Sequence, residues 1–231
     1  MAKRAKISKA DDQEPRGNLA YTVLRDRIRI GKFKPGQRIR EEDVADMLHM
    51  SRTPVREALK RLEVEGLVMS EPRRGMAIAL LDHQMVIELY VMREALEGAS
   101  ARLAARHASD AETAMLEELV KEEEQLGPDV GSDLLAKHNR RFHLALYRAA
   151  HNRYLLQSLN ALGDSIMLLG ETTFALQGRP TSALSEHREI VDAIVKRDPD
   201  SAEHAARHHI QNALRMRFKL LQAADAANAS V

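Results

Sequence analysis

Two sets of residues in this 231-residue chain have types and spacings that could do chemistry. In the run Ser51-Arg52-Thr53-Pro54-Val55-Arg56-Glu57-Ala58-Leu59-Lys60-Arg61-Leu62, Arg52 and Arg56 lie four residues apart, so a helix here places both on one face. A guanidinium is a planar fork of donors that fits guanine edges and phosphate oxygens, so such a face suits a duplex major groove. Arg56 reads as the base contact and Arg52 as a base or phosphate contact. Ser51 and Thr53 stand near the helix start as phosphate contacts, with Arg38 and Lys60 as further phosphate candidates. The alternative is a solubilising surface in which Arg56 pairs with Glu57 or Glu63.

The second set is imidazole. Nine of the ten histidines lie beyond residue 82. Asn139 and His143, one turn apart, fall on the apolar row Leu135, Phe142, Leu146, Ala149-Ala150. His187 falls on the row Ala183-Leu184, Ile190-Val191, Ile194, and His209 on Ala202, Ala206, Ala213, Met216, Leu220; His204 and His208 fall off it. Buried polar rings need partners. Taken singly, each reads as a hydrogen-bonded core histidine; taken together on three helices, a shared divalent ion would satisfy them all. Neutral imidazoles suit Zn²⁺, Ni²⁺ or Mn²⁺. Arg93 sits on the row Val86, Leu89, Leu96, Leu103, where its inward guanidinium would meet either an anionic ligand or Glu97.

The elements that must position these groups are mostly helical. Aromatic residues make up only 3% of the chain and Trp is absent, which disfavours a β-sandwich. The spacing predicts a helix over 19–30, ended by Gly31 and the Pro35-Gly36 turn, then a short helix over 42–48. The helix from residue 51 follows through the turn His49-Met50-Ser51, the layout of a helix-turn-helix. Gly66 stops it. Two short extended runs, 67–70 and 76–79, flank Glu71-Pro72-Arg73-Arg74-Gly75, a hairpin that presents Arg73 and Arg74 at its tip beside Gly75 and completes a winged helix. Six amphipathic stretches follow, over 83–107, 110–126, 132–150, 153–173, 182–197 and 200–222, predicting an all-α six-helix bundle. The expected organisation is a flexible basic arm over 1–15, a winged helix-turn-helix over 16–80, a bundle over 82–222 and a frayed tail over 223–231.

The net charge of +1 conceals an asymmetry: residues 1–81 hold 18 Lys/Arg against 12 Asp/Glu, and residues 82–231 hold 17 against 22. The first part is the one suited to a polyanion. Without cysteine there is neither a disulfide framework nor a thiolate zinc site. With no apolar run of membrane-spanning length and no signal-peptide core, a cytoplasmic protein without membrane partners is expected. A nucleophile elbow, a phosphate loop and a His-Glu-x-x-His pattern are also missing, which argues against an enzyme, the rival being a metal-dependent hydrolase built on the histidines.

The run 51–62, the Pro35-Gly36 turn and the Gly75 wing resemble the GntR transcriptional regulators. Arg93-Glu94-Ala95-Leu96-Glu97, Asn139-Arg140-Arg141-Phe142-His143, the segment 186–194 and His208-His209-Ile210 resemble the FCD ligand-sensing domain of the FadR subfamily, in its VanR-like branch. The resemblance implies a homodimeric repressor that binds double-stranded operator DNA and responds to a small carboxylate or sugar acid within the bundle, for which Arg93, by its place on the helical row, is the candidate contact. It also implies a divalent metal, Zn²⁺ foremost, held by Asn139, His143, His187 and His209. Two positions depart from the family: Asn139 stands where Asp is common, and His151 occupies a turn position usually filled by Gly. Glu42 replaces an Arg that in some relatives is directed at DNA, and there it would repel phosphate. A DNA-binding dimer whose bundle serves only for association is the remaining alternative.

Overall fold

The computed structural model describes residues 16–71 and 75–229, which divide into two compact units at Leu80/Leu81. In the first, α1 (Arg16–Arg29) packs on α3 (Arg52–Val64), and α2 (Glu41–Leu48) lies against α3. Ala20, Leu24 and Ile28 of α1 meet an interior shared with Val55, Leu59 and Leu62, all at 2% exposure or less. The helical period that made these positions recur is therefore the period of burial. Pro54, in the first turn of α3, lacks an N–H where no acceptor is available anyway, so it favours the start there. His49 ends α2 in the left-handed region at φ 52°, turning the chain into α3.

The wing is a three-stranded antiparallel sheet in the order β1-β3-β2. β2 (Val68–Glu71) pairs with β3 (Gly75–Ile78) in the register Val68 to Ile78, as the hairpin reading required. β1, Arg38–Ile39, was not expected as a strand; it exists through its pairing with Ala77 and Met76. Arg73 and Arg74 lie outside the described residues.

The second unit contains six α-helices among the described residues: α4 (His83–His107), α5 (Asp110–Leu126), α6 (Ser132–Ala149), α7 (Arg153–Met167), α8 (Arg179–Val195) and α9 (Pro199–Ala229). The mostly helical fold agrees with the sequence, with shifts of boundary; α8 runs Arg179–Val195 and not over 182–197, with Pro180 in its first turn. α7 stops at Met167, short of residue 173, because Gly170 turns the chain at φ 71° into a 3-10 turn over Thr173–Ala175. α9 continues past Gln222 to Ala229. α4 packs along α9, and α8 packs on α9 as well. Ala101, Ala104 and Ala105 of α4 share a buried cluster with Ala202, Ala205 and Ala206 of α9, while Phe142, Leu146, Ile190 and Ile194 fill it from α6 and α8.

α5 begins with a reciprocal capping box: Ser109 Oγ accepts from Glu112 N, and Glu112 accepts from Ser109 N at 2.8 Å. The same carboxylate meets His151 Nε2 at 2.9 Å. His151 is in the left-handed region at φ 52°, which explains why glycine would sit there without strain; the bond to Glu112 offsets the cost of a side chain. The Ser109 backbone N–H, and next the His151 ring, hold the Glu112 carboxyl down to about 2. Because the folded value is depressed, this contribution is present above pH 4.5 and is lost as pH falls toward 2. Urea denaturation should show Ser109→Ala costing about 1 kcal/mol at pH 7, and Glu112→Gln, which keeps an acceptor but cannot titrate, should flatten the pH dependence over that window.

Candidate functional site

Arg52 and Arg56 project from the start of α3 with their side chains 60% and 56% exposed. Arg56 does not pair with Glu57 or Glu63, the partners suggested by spacing alone. Arg56 instead reaches across to Glu41 at the start of α2, with Nε at 3.0 Å from Oε1 and Nη2 at 2.7 Å from Oε2, and Arg52 pairs with Glu42. Thr53 and Lys60 are exposed on the same helix, Ser51 stands at its N-cap with a hydroxyl that does not cap it, and Arg38 is exposed on β1. Gly75 opens β3 at φ 82°, a conformation that favours glycine.

In the second unit, His143, His187 and His209 are brought together from α6, α8 and α9 and are buried to 6%, 0% and 2% exposure. One ring nitrogen from each lies within 4.8 Å of the other two. Asn139 is half-buried one turn before His143 on α6. The contrast is His138, also buried, which is an ordinary core histidine: its Nε2 meets the Leu119 carbonyl at 2.8 Å.

Each of the three clustered rings has a carboxylate behind it. His187 Nδ1 is 2.7 Å from Glu123, His209 Nδ1 is 2.7 Å from Glu186, and His143 Nδ1 is 2.9 Å from Glu97, there off the hydrogen-bond direction. At His187 and His209 a hydrogen-bonded carboxylate at Nδ1 holds the ring proton there and leaves Nε2 as a lone pair, the arrangement that orients histidine toward a metal. His209 Nε2 and His143 Nε2 then face each other at 3.2 Å, and His187 Nε2 is buried with no hydrogen-bond partner. One ring must donate for the first pair to bond, and the buried His187 Nε2 without a partner is costly; a cation held by the three rings satisfies all of these nitrogens. Burial, followed by the neighbouring rings, keeps His209 well below the usual histidine range; burial also lowers His187. Both rings are thus held in the neutral form that binds metal. The donor set fits a divalent ion.

As supports of the rings, Glu97, Glu123 and Glu186 were not found from sequence, where Glu97 stands only as a partner of Arg93. Glu186 is a junction: it accepts from Arg179 Nη1 at 2.7 Å and Asn212 Nδ2 at 2.7 Å as well as facing His209. Arg93 is buried, but its Nε donates to Glu97 Oε1 at 2.9 Å and its guanidinium lies 4.8 Å over the Tyr90 ring, so the alternative partner is the one present. Burial disfavours charge on Glu97, yet Arg93, and then His143, outweigh it and keep the carboxyl ionised. The resulting chain runs Arg93, Glu97, His143, joining α4 to α6. These carboxylates lie on the Nδ1 side of the rings, not beside the inward nitrogens where a hydrolytic base would stand.

Comparison with known proteins places both units. Residues 18–78 match the family described as "Bacterial regulatory proteins, gntR family", and residues 88–212 match the FCD domain. The chain is 32% identical over 190 residues to the uncharacterised HTH-type transcriptional regulator YdhC of Bacillus subtilis (strain 168), covering 81% of this chain and 85% of that protein. It is 36% identical over 188 residues to a probable D-xylose utilization operon transcriptional repressor of Paenarthrobacter nicotinovorans, covering 79% and 80%. Among solved structures, E. coli McbR/YncC shares the fold with a TM-score of 0.75 at 21% identity, covering 90% of this chain and all of that one. The chain, a winged helix with exposed arginines followed by a helical domain, therefore belongs to the GntR family of DNA-binding transcriptional regulators, in its FCD-containing form.

Proposed function

We propose that this protein is a metabolite-responsive repressor of the FadR subfamily, VanR-like branch, acting as a cytoplasmic homodimer on operator DNA. Its domains are the winged helix over 16–80 and the effector and dimerisation domain over 82–222; the arm expected over 1–15 lies outside the described residues, and 223–229, expected as a frayed tail, continue α9. Arg56 reads a base edge, Arg52 contacts a base or a phosphate, Ser51, Thr53, Lys60 and Arg38 hold phosphates, and the wing residues Arg73, Arg74 and Gly75 contact the adjacent backbone. His143, His187 and His209, with Asn139 beside them, would hold a divalent ion, Zn²⁺ in the first instance, which when bound supplies a Lewis-acidic centre for an anionic ligand. The convergence of three buried imidazoles, each with a carboxylate near its Nδ1, carries the ligand half of this reading.

The effector is a small carboxylate or sugar acid that enters the bundle near Arg93 and competes with Glu97 for its guanidinium. It changes operator affinity by the difference between its affinities for two arrangements of the protein. The test uses fluorescence anisotropy with a duplex selected by the protein from a randomised library, read with Zn²⁺, with chelator, and across a panel of sugar acids, hydroxy acids and aromatic acids. At least one acid should change affinity by about 5-fold or more. Affinity unmoved by chelator and by every acid rejects the coupling.

A further inference from the structure

The reading face of α3 carries its own counter-charges. Glu41 and Glu42, the first two residues of α2, each engage one of the two arginines, and the Glu41 contact is the more constrained. Glu41 takes the side edge of the Arg56 guanidinium, Nε together with Nη2. A guanidinium has five N–H donors, and this contact uses the pair along one edge. The end edge, Nη1 with the second hydrogen of Nη2, stays open, and it has the same forked form required by guanine O6 and N7. Carboxylate and base can therefore be bound at once. The Arg56 hydrogen bonds keep the Glu41 carboxyl below its ordinary range, so the partner remains charged.

We propose that Glu41 is a positioning residue for sequence recognition: it buttresses Arg56 so that the open edge of the guanidinium is aimed at a guanine, while the neutralised pair gains little from phosphate alone. The inference rests on the reading that Arg56 contacts a base. Its physical content is that selectivity and affinity are moved in opposite directions by one side chain. A free arginine turns among rotamers and bonds any phosphate, contributing counterion release on every sequence; a buttressed one adds free energy chiefly where a forked acceptor meets it. Glu42 supplies the same charge to Arg52, but only through Nη2, and so serves as the charge-matched control.

The experiment measures binding of the full chain to two probes: the library-selected duplex and a scrambled duplex of equal length, at several salt concentrations. Glu41→Gln is isosteric at a partly exposed helix start, and its thermal midpoint checks that the fold is kept. The expected result is a fall of about tenfold in the ratio of selected to scrambled affinity, concentrated at one base pair, because one bidentate base contact contributes on the order of 1–3 kcal/mol of discrimination. Glu42→Gln should tighten both duplexes alike and leave the ratio in place. In an Arg56→Ala background, Glu41→Gln should have no further effect on the ratio. A Glu41→Gln variant that behaves like Glu42→Gln overturns the buttress while leaving the base reader standing. Should Arg56→Ala itself select the same sequences as the native chain, the underlying reading fails instead.

Discussion

Removing divalent ions with a chelator should lower the unfolding midpoint of the unit formed by residues 81–229 and leave that of the first unit unchanged. A ligand held by the folded state alone stabilises it by about 4 kcal/mol at a thousandfold excess over its Kd, which in a domain of this size corresponds to about 10 °C. Zn²⁺ should restore the midpoint, and metal analysis of the native protein should find about one ion per chain. His187→Ala should abolish the response, because that ring is fully buried and its Nε2 has no hydrogen-bond partner. Glu123→Gln, which weakens the support at His187 Nδ1, should reduce metal affinity by about 10- to 100-fold without eliminating it. Differential scanning calorimetry reads both domains in one trace. A midpoint indifferent to chelator and to added Zn²⁺ would leave the three rings as core histidines.

Phe142→Ala should be the most damaging single substitution, costing about 3–5 kcal/mol in urea denaturation. Phe142 is fully buried, lies in the cluster formed by α4, α5, α6, α8 and α9, and stacks on His187 with ring centroids 4.2 Å apart. It also meets the His143 ring edge-on at 5.5 Å. Truncation therefore opens a cavity against two of the imidazoles and frees their orientation, so metal affinity falls along with stability. Phe142→Leu keeps much of the volume and should lose less of both. A stability loss under about 1 kcal/mol for the alanine variant would show that the cluster closes over the gap.

Helical rows placed His143, His187 and His209 inward because an apolar stripe carries its polar members with it, and three such stripes meeting in a bundle define a common interior. The carboxylates that support the rings were harder to see. Glu97 and Glu123 occupy inward positions too, but a glutamate on a helix is ordinarily solvated, and only the partner supplied by a distant helix makes its burial tolerable. Glu97 finds His143 and Glu123 finds His187, contacts that no local period encodes. The exchange of Arg56 from Glu57 or Glu63 to Glu41 has the same origin: the turn between α2 and α3 brings together residues fifteen apart. β1 escaped notice because two residues cannot show alternation, and its identity as a strand lies wholly in β3. The arginine motif itself was legible, since Pro54, the polar first turn and the apolar positions 55, 59 and 62 all point to one helix with one buried side.

The alanines where α4 and α9 share a core carry a mechanical implication. Alanine has no rotamers to exchange, so this seam cannot absorb a disturbance by reshuffling its side chains. Any rearrangement transmitted through it must be a rigid sliding or tilting of whole helices, and the adaptable part of the domain is left to the end where Arg93, Glu97 and the imidazoles meet.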